Sequence, residues 1–221
     1  MLVDLSMPLG PRVTPVSGHP PFSSRPITTL EKDGRANSHV SFSIHTATHV
    51  DAPSHFVPGG LTIDQVPLRR FTGEAYVVHL APPPAARQAI DLDLLRRSGL
   101  PDAAVLRDRI LVLHSGWTDA HGHSPDLYTH NPYLAEESAR WIVDAGVAML
   151  GVDFGVDGGF ADTPVYTIHP ILLGAGIPIL ENLVGLHRLR RSPFTLTAFP
   201  VCLEGENGGP ARAVAVVDEE G

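Results

Sequence analysis

Only one cysteine, Cys202, occurs among 221 residues, so no internal disulfide can form and nothing in the chain calls for an oxidising compartment. No apolar run approaches the roughly 20 residues that span a bilayer as a helix. The N-terminus, Met-Leu-Val-Asp-Leu-Ser, carries an acid at position 4 and lacks the basic region and long apolar stretch of a signal peptide. Positive charge is scarce as well. The formal net charge is −8, and apart from Arg69-Arg70, Arg96-Arg97 and the stretch 188–191 the basic residues are scattered, with no continuous stripe for phosphate backbones. These absences point to a cytoplasmic protein with neither a membrane nor a nucleic acid as partner. Familiar catalytic motifs are missing too. No Gly-x-Ser-x-Gly elbow occurs, Cys202 has no local motif for a thiol enzyme, and Asp153-Phe-Gly155 lacks the companion motifs of a kinase.

What remains is enough for one domain. A chain of 221 residues with 43% hydrophobic content can bury a sizeable core, and neither a composition shift nor an internal repeat divides it, so a single domain over 1–221 is expected. The 21 prolines and 21 glycines are spread among apolar runs without forming low-complexity blocks. Short β-like runs recur at 40–44, 75–80, 110–114, 148–152, 177–180 and 213–217. Between them, 133–146 shows a helical period in Leu134, Ala135, Ser138, Trp141, Ile142 and Ala145, with Gly146 as a C-terminal stop. A shorter helix is expected over 91–99 and a single turn over 170–174. The fold class is therefore α/β, a compact domain of mixed β structure with flanking helices.

Histidine is the anomaly. There are 12, and His39, His45, His49 and His55 fall within 17 residues. A polar surface loop would explain any one of them alone. Their spacing suggests a metal site, because ligands bound at about 2.0 to 2.2 Å must converge. Four residues of strand rise about 13 Å, whereas one helical turn brings positions i and i+4 within about 5 to 6 Å. A turn of helix or an equivalent bend is thus expected over 45–49. Asp51 lies about 200° round a helix from His49, so the chain must leave the helical path near residue 50. Pro53 gives a reason, since it pushes Ala52 out of the α region. Two neutral imidazoles and a carboxylate suit a first-row divalent ion, and His55 is the candidate acid or base beside it. Further along, His169 and Glu181 offer more donors. Glu181 ends the apolar run 177–180, where a charge is costly unless paired or bound to a cation; a surface position at a strand end is the alternative.

The segment His45-Thr-Ala-Thr-His49-Val-Asp51-Ala-Pro-Ser-His55 resembles the signature His-x-Gly-Thr-His-x-Asp-x-Pro-x-His of the cyclase family, which includes bacterial kynurenine formamidases and isatin hydrolases. Only the glycine differs, being Ala47 here. The likeness extends to 113–117, 131–153, 169–181 and 209–213, nearly the whole chain. It implies that His45, His49 and Asp51 bind one divalent ion and that His169 and Glu181 complete a second site, with the two carboxylates shared. His55 would be the proton shuttle, at an ordinary imidazole pKa of about 6.5. It further implies a metal-activated water acting on an amide, formamide or lactam carbon–nitrogen bond of a small molecule, with zinc or, alternatively, manganese as one or two ions per subunit. A homo-oligomer, dimer or tetramer, goes with it. Two alternatives stay open: a cyclase or dehydratase of secondary metabolism using the same ions, and a non-catalytic metal-binding protein. Two departures bear on the details. Ala47 suits the signature only if its backbone avoids positive φ. Val16 and Ser17 stand where kynurenine formamidases carry a tryptophan, which removes an aromatic wall unless Phe22, Phe56, Phe71 or Trp117 replaces it.

Overall fold

The computed structural model describes residues 1–158 and 165–217. Thirteen strands are formed among the described residues: β1 Leu2–Asp4, β2 Ser23–Thr28, β3 Asn37–Ser41, β4 His49–Asp51, β5 Thr72–His79, β6 Ala89–Ile90, β7 Ile110–His114, β8 Tyr133–Leu134, β9 Met149–Val152, β10 Ile179–Glu181, β11 Phe194–Thr197, β12 Gly208–Pro210 and β13 Val214–Val216. Nine of them make one mixed sheet in the order β1-β13-β11-β5-β7-β9-β10-β4-β12. Its centre, β5-β7-β9-β10, is parallel, and both flanks are antiparallel. The α/β class with a mixed sheet is as the sequence suggested.

The central strands read as unbroken apolar runs because both faces are covered. Along β7 the side chains alternate between two cores. Leu111 and Leu113 pack with Leu94, Leu95, Leu106, Ile142 and Leu172 from the flanking helices. Ile110 and Val112 point the other way, into a cluster with Val3, Phe71, Leu196 and Ala215. Val50 of β4 belongs to that second cluster together with Val3 of β1, so strands from opposite ends of the order meet and the sheet curls around its inner core.

The helix Glu136–Ala145 buries Ser138, Ala139, Ile142 and Ala145. It ends as expected at Gly146, whose φ of 73° lets its N–H reach back to the Ile142 and Val143 carbonyls. Tyr133 and Leu134, assigned to that helix on sequence, form β8 instead and pair with β6. The helix Leu92–Arg97 is capped by the Asp91 side chain on the Leu94 N–H at 2.7 Å. The single turn expected over 170–174 is a longer helix, Ile168–Gly174, which starts early enough to include His169. β3 lies earlier than the run 40–44, because Ile44 already belongs to the bend that leads to the histidines.

β2 and β3 stand apart as a two-stranded hairpin, exposed along nearly its whole length. Among the described residues no helix is long and apolar enough to cross a membrane.

Candidate metal centre

The signature does not form a helical turn. Residues 45–48 make a bend, with Ala47 in the left-handed region at φ 59°, and His49 to Asp51 continue as β4. The expectation of a bend is met. The chain has left any helical path by residue 50, as expected, and does so as a strand: His49 and Asp51 are i and i+2 and therefore share one face. Ala52 is extended at φ −92° and ψ 158°, as the following Pro53 requires.

Strand pairing supplies the next donor. β10 runs antiparallel to β4 with Glu181 opposite His49, so a residue 132 positions away arrives beside that histidine. The helix Ile168–Gly174 brings His169 from above. His49 Nε2 lies 3.3 Å from Asp51 Oδ1 and 3.9 Å from Glu181 Oε2. His169 Nε2 lies 3.3 Å from Asp51 Oδ2 and 3.7 Å from Glu181 Oε1. All four residues are buried. In each imidazole the other nitrogen is occupied: His49 Nδ1 bonds the Ala47 carbonyl at 2.8 Å, and His169 Nδ1 bonds the Asp157 carboxylate. Both rings therefore present Nε2 to the carboxylates, the arrangement by which outer partners set the tautomer of a metal-binding histidine.

His45 and His55 lie on the other side of Asp51, their rings stacked with centroids 4.0 Å apart. Donor atoms of His45, Asp51 and His55 fall within 4.8 Å of one another, as do those of His49, Asp51 and Glu181, so Asp51 is common to two potential ligand groups. His45 has both nitrogens in hydrogen bonds, Nδ1 with Asp51 Oδ1 and Nε2 with Asn207 Oδ1, each at 2.7 Å. Gly208 makes room for it, since a Cβ there would meet His45 Cε1 at 2.7 Å.

Burying two carboxylates this close is expensive without compensating positive charge. Burial alone would raise Asp51, but His49 and the neighbouring His169 and His45 hold it well below the usual carboxylate range. Glu181 is raised, by burial and by Asp51. Burial works against a charge on His169, yet Asp157 and Asp51 outweigh it and push it up to about 10. Protons on the imidazoles thus balance the carboxylates, and a divalent cation would balance them in the protons' place. Asp51 Oδ2 is buried without a hydrogen bond, which fits an oxygen meant for a cation. His55 departs from the ordinary value assumed from sequence. Burial, together with His45, His169 and His49 against the opposing pull of Asp51, lowers it to about 4, so it is a neutral base at pH 7.

The cluster forms the floor of a cavity of about 160 Å³ whose walls include Val16, His19, Phe56, Tyr128, Asn131 and Tyr166. Of the aromatics considered as substitutes for the missing tryptophan, Phe56 alone lines this cavity, stacked on His169 with centroids 4.7 Å apart. Phe22 stacks on Phe42, Phe71 sits in the inner core, and Trp117 stacks on His121. Burial and Glu181 push the Tyr128 phenol well up, keeping it protonated.

Several residues here escaped the sequence reading. Asp157 accepts from the Thr167 and Ile168 N–H groups at 2.8 and 2.7 Å while holding His169, so one carboxylate caps the helix and aims its histidine. A lone Asp in Gly-Val-Asp-Gly-Gly carries no periodic signal, although its position before the helix of His169 was a cue. Asn207 and Asn182 are found only through long-range contacts. Asn182, at φ 56°, donates from Nδ2 to the Ala47 carbonyl at 3.0 Å and to the Tyr128 hydroxyl at 3.1 Å.

Residues 3–157 match the model of a family described as "Putative cyclase". Curated relatives are similar over nearly the whole length. A kynurenine formamidase of Bacillus cytotoxicus is 30% identical over 214 residues, covering 96% of this chain and 95% of that protein. One from Geobacillus thermodenitrificans is 30% identical over 213 residues with the same coverage. Among solved structures, isatin hydrolase A from Labrenzia aggregata bound to benzyl benzoate superposes with a TM-score of 0.86 at 24% identity, covering 99% of this chain and 94% of that one, a likeness of fold.

Proposed function

The chain belongs to the cyclase family, and from that premise we propose that it is a metal-dependent hydrolase of carbon–nitrogen bonds other than peptide bonds, acting on a small amide, formamide or lactam. The observation that carries this reading is the buried Asp51 carboxylate, with His49 Nε2 3.3 Å from Oδ1 and His169 Nε2 3.3 Å from Oδ2, set beside the Glu181 carboxylate in the lining of a cavity. The proposed ligands are His45, His49, Asp51, His169 and Glu181. They would hold one or two ions, zinc or alternatively manganese, with His45 giving up one of its two present partners. When bound, such an ion supplies a Lewis acid that activates water at neutral pH and polarises the carbonyl.

The chain's own residues do the rest. Ala47 O and Asp157 fix the tautomers of His49 and His169. His55, neutral at pH 7, takes a proton on an imidazole nitrogen and returns it to the departing amine. Phe56 and Tyr166, with ring centroids 5.2 Å apart, give a flat ring an aromatic wall. That wall restores what the Val16 and Ser17 departure removed, so aryl formamides are again suitable substrates.

A single domain over 1–221, a cytoplasmic location and a homo-oligomer complete the proposal. The exposed β2–β3 hairpin supports the last, because an isolated two-stranded hairpin is marginal in water and this one exposes Ile27 and Val40, with Leu30 at its turn. A second copy of this chain is the proposed cover.

The test is turnover of N-formylkynurenine, isatin and simple aryl formamides by enzyme stripped with a chelator and reloaded with zinc or manganese. Turnover that follows the metal supports the reading. Bound metal with no turnover of any carbon–nitrogen substrate would favour the non-catalytic alternative.

A further inference from the structure

Tyr128 lines the cavity of the proposed centre, and among the described residues its O–H donor meets no acceptor. Its ring lines the cavity with His49, Asp51, His169 and Glu181. Among the described residues its hydroxyl has one hydrogen-bond partner, Asn182. The direction of that bond is determined. Asn182 Nδ2 also lies 3.0 Å from the Ala47 carbonyl, which can only accept, so the amide nitrogen faces both groups and the Tyr128 oxygen is an acceptor. One lone pair is thereby occupied, and the O–H hydrogen is left to the cavity. The main chain of Asn182 is held by the bond from Thr48 Oγ1 to its backbone carbonyl at 2.7 Å and its side chain by the Ala47 carbonyl, so the hydroxyl is positioned by a buried network.

We propose that Tyr128 is a catalytic hydrogen-bond donor, its phenol O–H bonding the substrate's carbonyl oxygen and strengthening that bond as negative charge develops there during attack. This rests on the hydrolase reading above. A fixed neutral donor suits this role, since a lysine or arginine here would form ion pairs with Asp51 and Glu181, whereas a phenol donates without competing for the carboxylates that a cation needs. No proton is transferred from Tyr128; the hydrogen bond shortens in the transition state and relaxes when the carbon–nitrogen bond breaks. Donors aimed at developing charge in a water-poor site contribute on the order of 10²-fold or more to kcat.

The experiment is Tyr128→Phe on the zinc-loaded enzyme, a change that removes one oxygen and keeps the ring. Expected are a fall in kcat of about 10²-fold with KM within about threefold, an affinity for phenylphosphonate, a tetrahedral anion, weakened about tenfold, and unchanged zinc affinity and Tm. The phosphonate measurement by calorimetry does not depend on turnover. If the wild type hydrolyses no amide or lactam, the hydrolase reading fails by itself, and the phosphonate comparison still decides whether Tyr128 meets an anionic oxygen. Unchanged kcat and phosphonate affinity overturn the proposal. So does a loss of zinc affinity or Tm that accompanies the kinetic loss, because Tyr128 would then serve only to hold the Asn182 and Ala47 bridge.

Discussion

At the carboxyl ends of β5 and β7, His79 and His114 stand opposite one another, much as His49 and Glu181 do across β4 and β10. Both places lie where ligands tend to bind in sheets with parallel strands. Their chemistry differs. His79 Nε2 lies 2.7 Å from the Leu189 carbonyl and must carry a proton; its Nδ1 then accepts from His114 Nδ1, also at 2.7 Å. Burial and His79 lower His114 to about 4, with Asp119 opposing, and His187 and Arg190 complete the cleft. At the signature, two buried carboxylates hold the neighbouring imidazoles; at His114, imidazoles face one another and an arginine. Among the described residues, potential cation-binding groups occur only at the first place. Clustered histidine, then, makes a potential cation site here only where buried negative charge accompanies it.

The most drastic way to break this contrast is Asp51→Asn, which removes the carboxylate common to both ligand groups. Zinc affinity is expected to fall by more than about 100-fold and turnover to vanish. Zinc binding at wild-type strength would show that the imidazoles and Glu181 suffice without it.

His55→Ala is expected to lower kcat by about 10² to 10⁴-fold with zinc content retained. Zinc lost on dialysis would instead make His55 a ligand beside His45 and Asp51.

Asp157→Asn tests the outer support. With the carboxylate gone, His169 is no longer held, and zinc affinity should drop by about 10 to 100-fold. An unchanged zinc titration would reduce Asp157 to a helix cap.

The matching change in the other cleft, His114→Gln, should leave zinc affinity and kcat alone and alter only the pH dependence of stability. The folded value of about 4 lies below the unfolded 6.5, so between those values the unfolded chain binds more protons and stability is lost as pH falls. Melting temperatures measured from pH 7 to 4 should decline less steeply in the variant. A steeper decline would contradict the neutral assignment of His114.

Ala47→Gly is expected to have the smallest effect. Relief of a left-handed alanine gains about 1 to 2 kcal/mol. Against it stand roughly 0.4 to 1 kcal/mol of unfolded-state entropy and about 0.8 kcal/mol for a buried methyl. The net change should lie within about 1 kcal/mol of zero by urea unfolding, which is why alanine is tolerated at the signature's glycine despite φ 59°. A stabilisation above about 2 kcal/mol would show that the alanine is seriously strained.

Much of this could be read from the chain. The apolar runs 110–114 and 148–152 announced buried central strands, Gly146 marked a helix end, and the spacing from His45 to His55 required a bend, which Pro53 helped to define. Such features are local: a dihedral preference or a short period is stated by neighbouring residues. Of the two geometries expected over 45–49, the bend prevails over the helical turn because the extended state from His49 onward is stabilised by pairing with β10 and β12, whose residues lie more than 100 positions away. The same long-range register placed Glu181 beside His49, and packing of a separate helix delivered His169 with Asp157 behind it. The sequence by itself determined which residue types could bind a cation and where the chain must bend. Only the tertiary structure decided which nitrogens face the carboxylates, that burial lowers the pKa of His55, and that the Tyr128 donor meets no acceptor among the described residues, because each depends on burial and on hydrogen-bond partners contributed by distant segments.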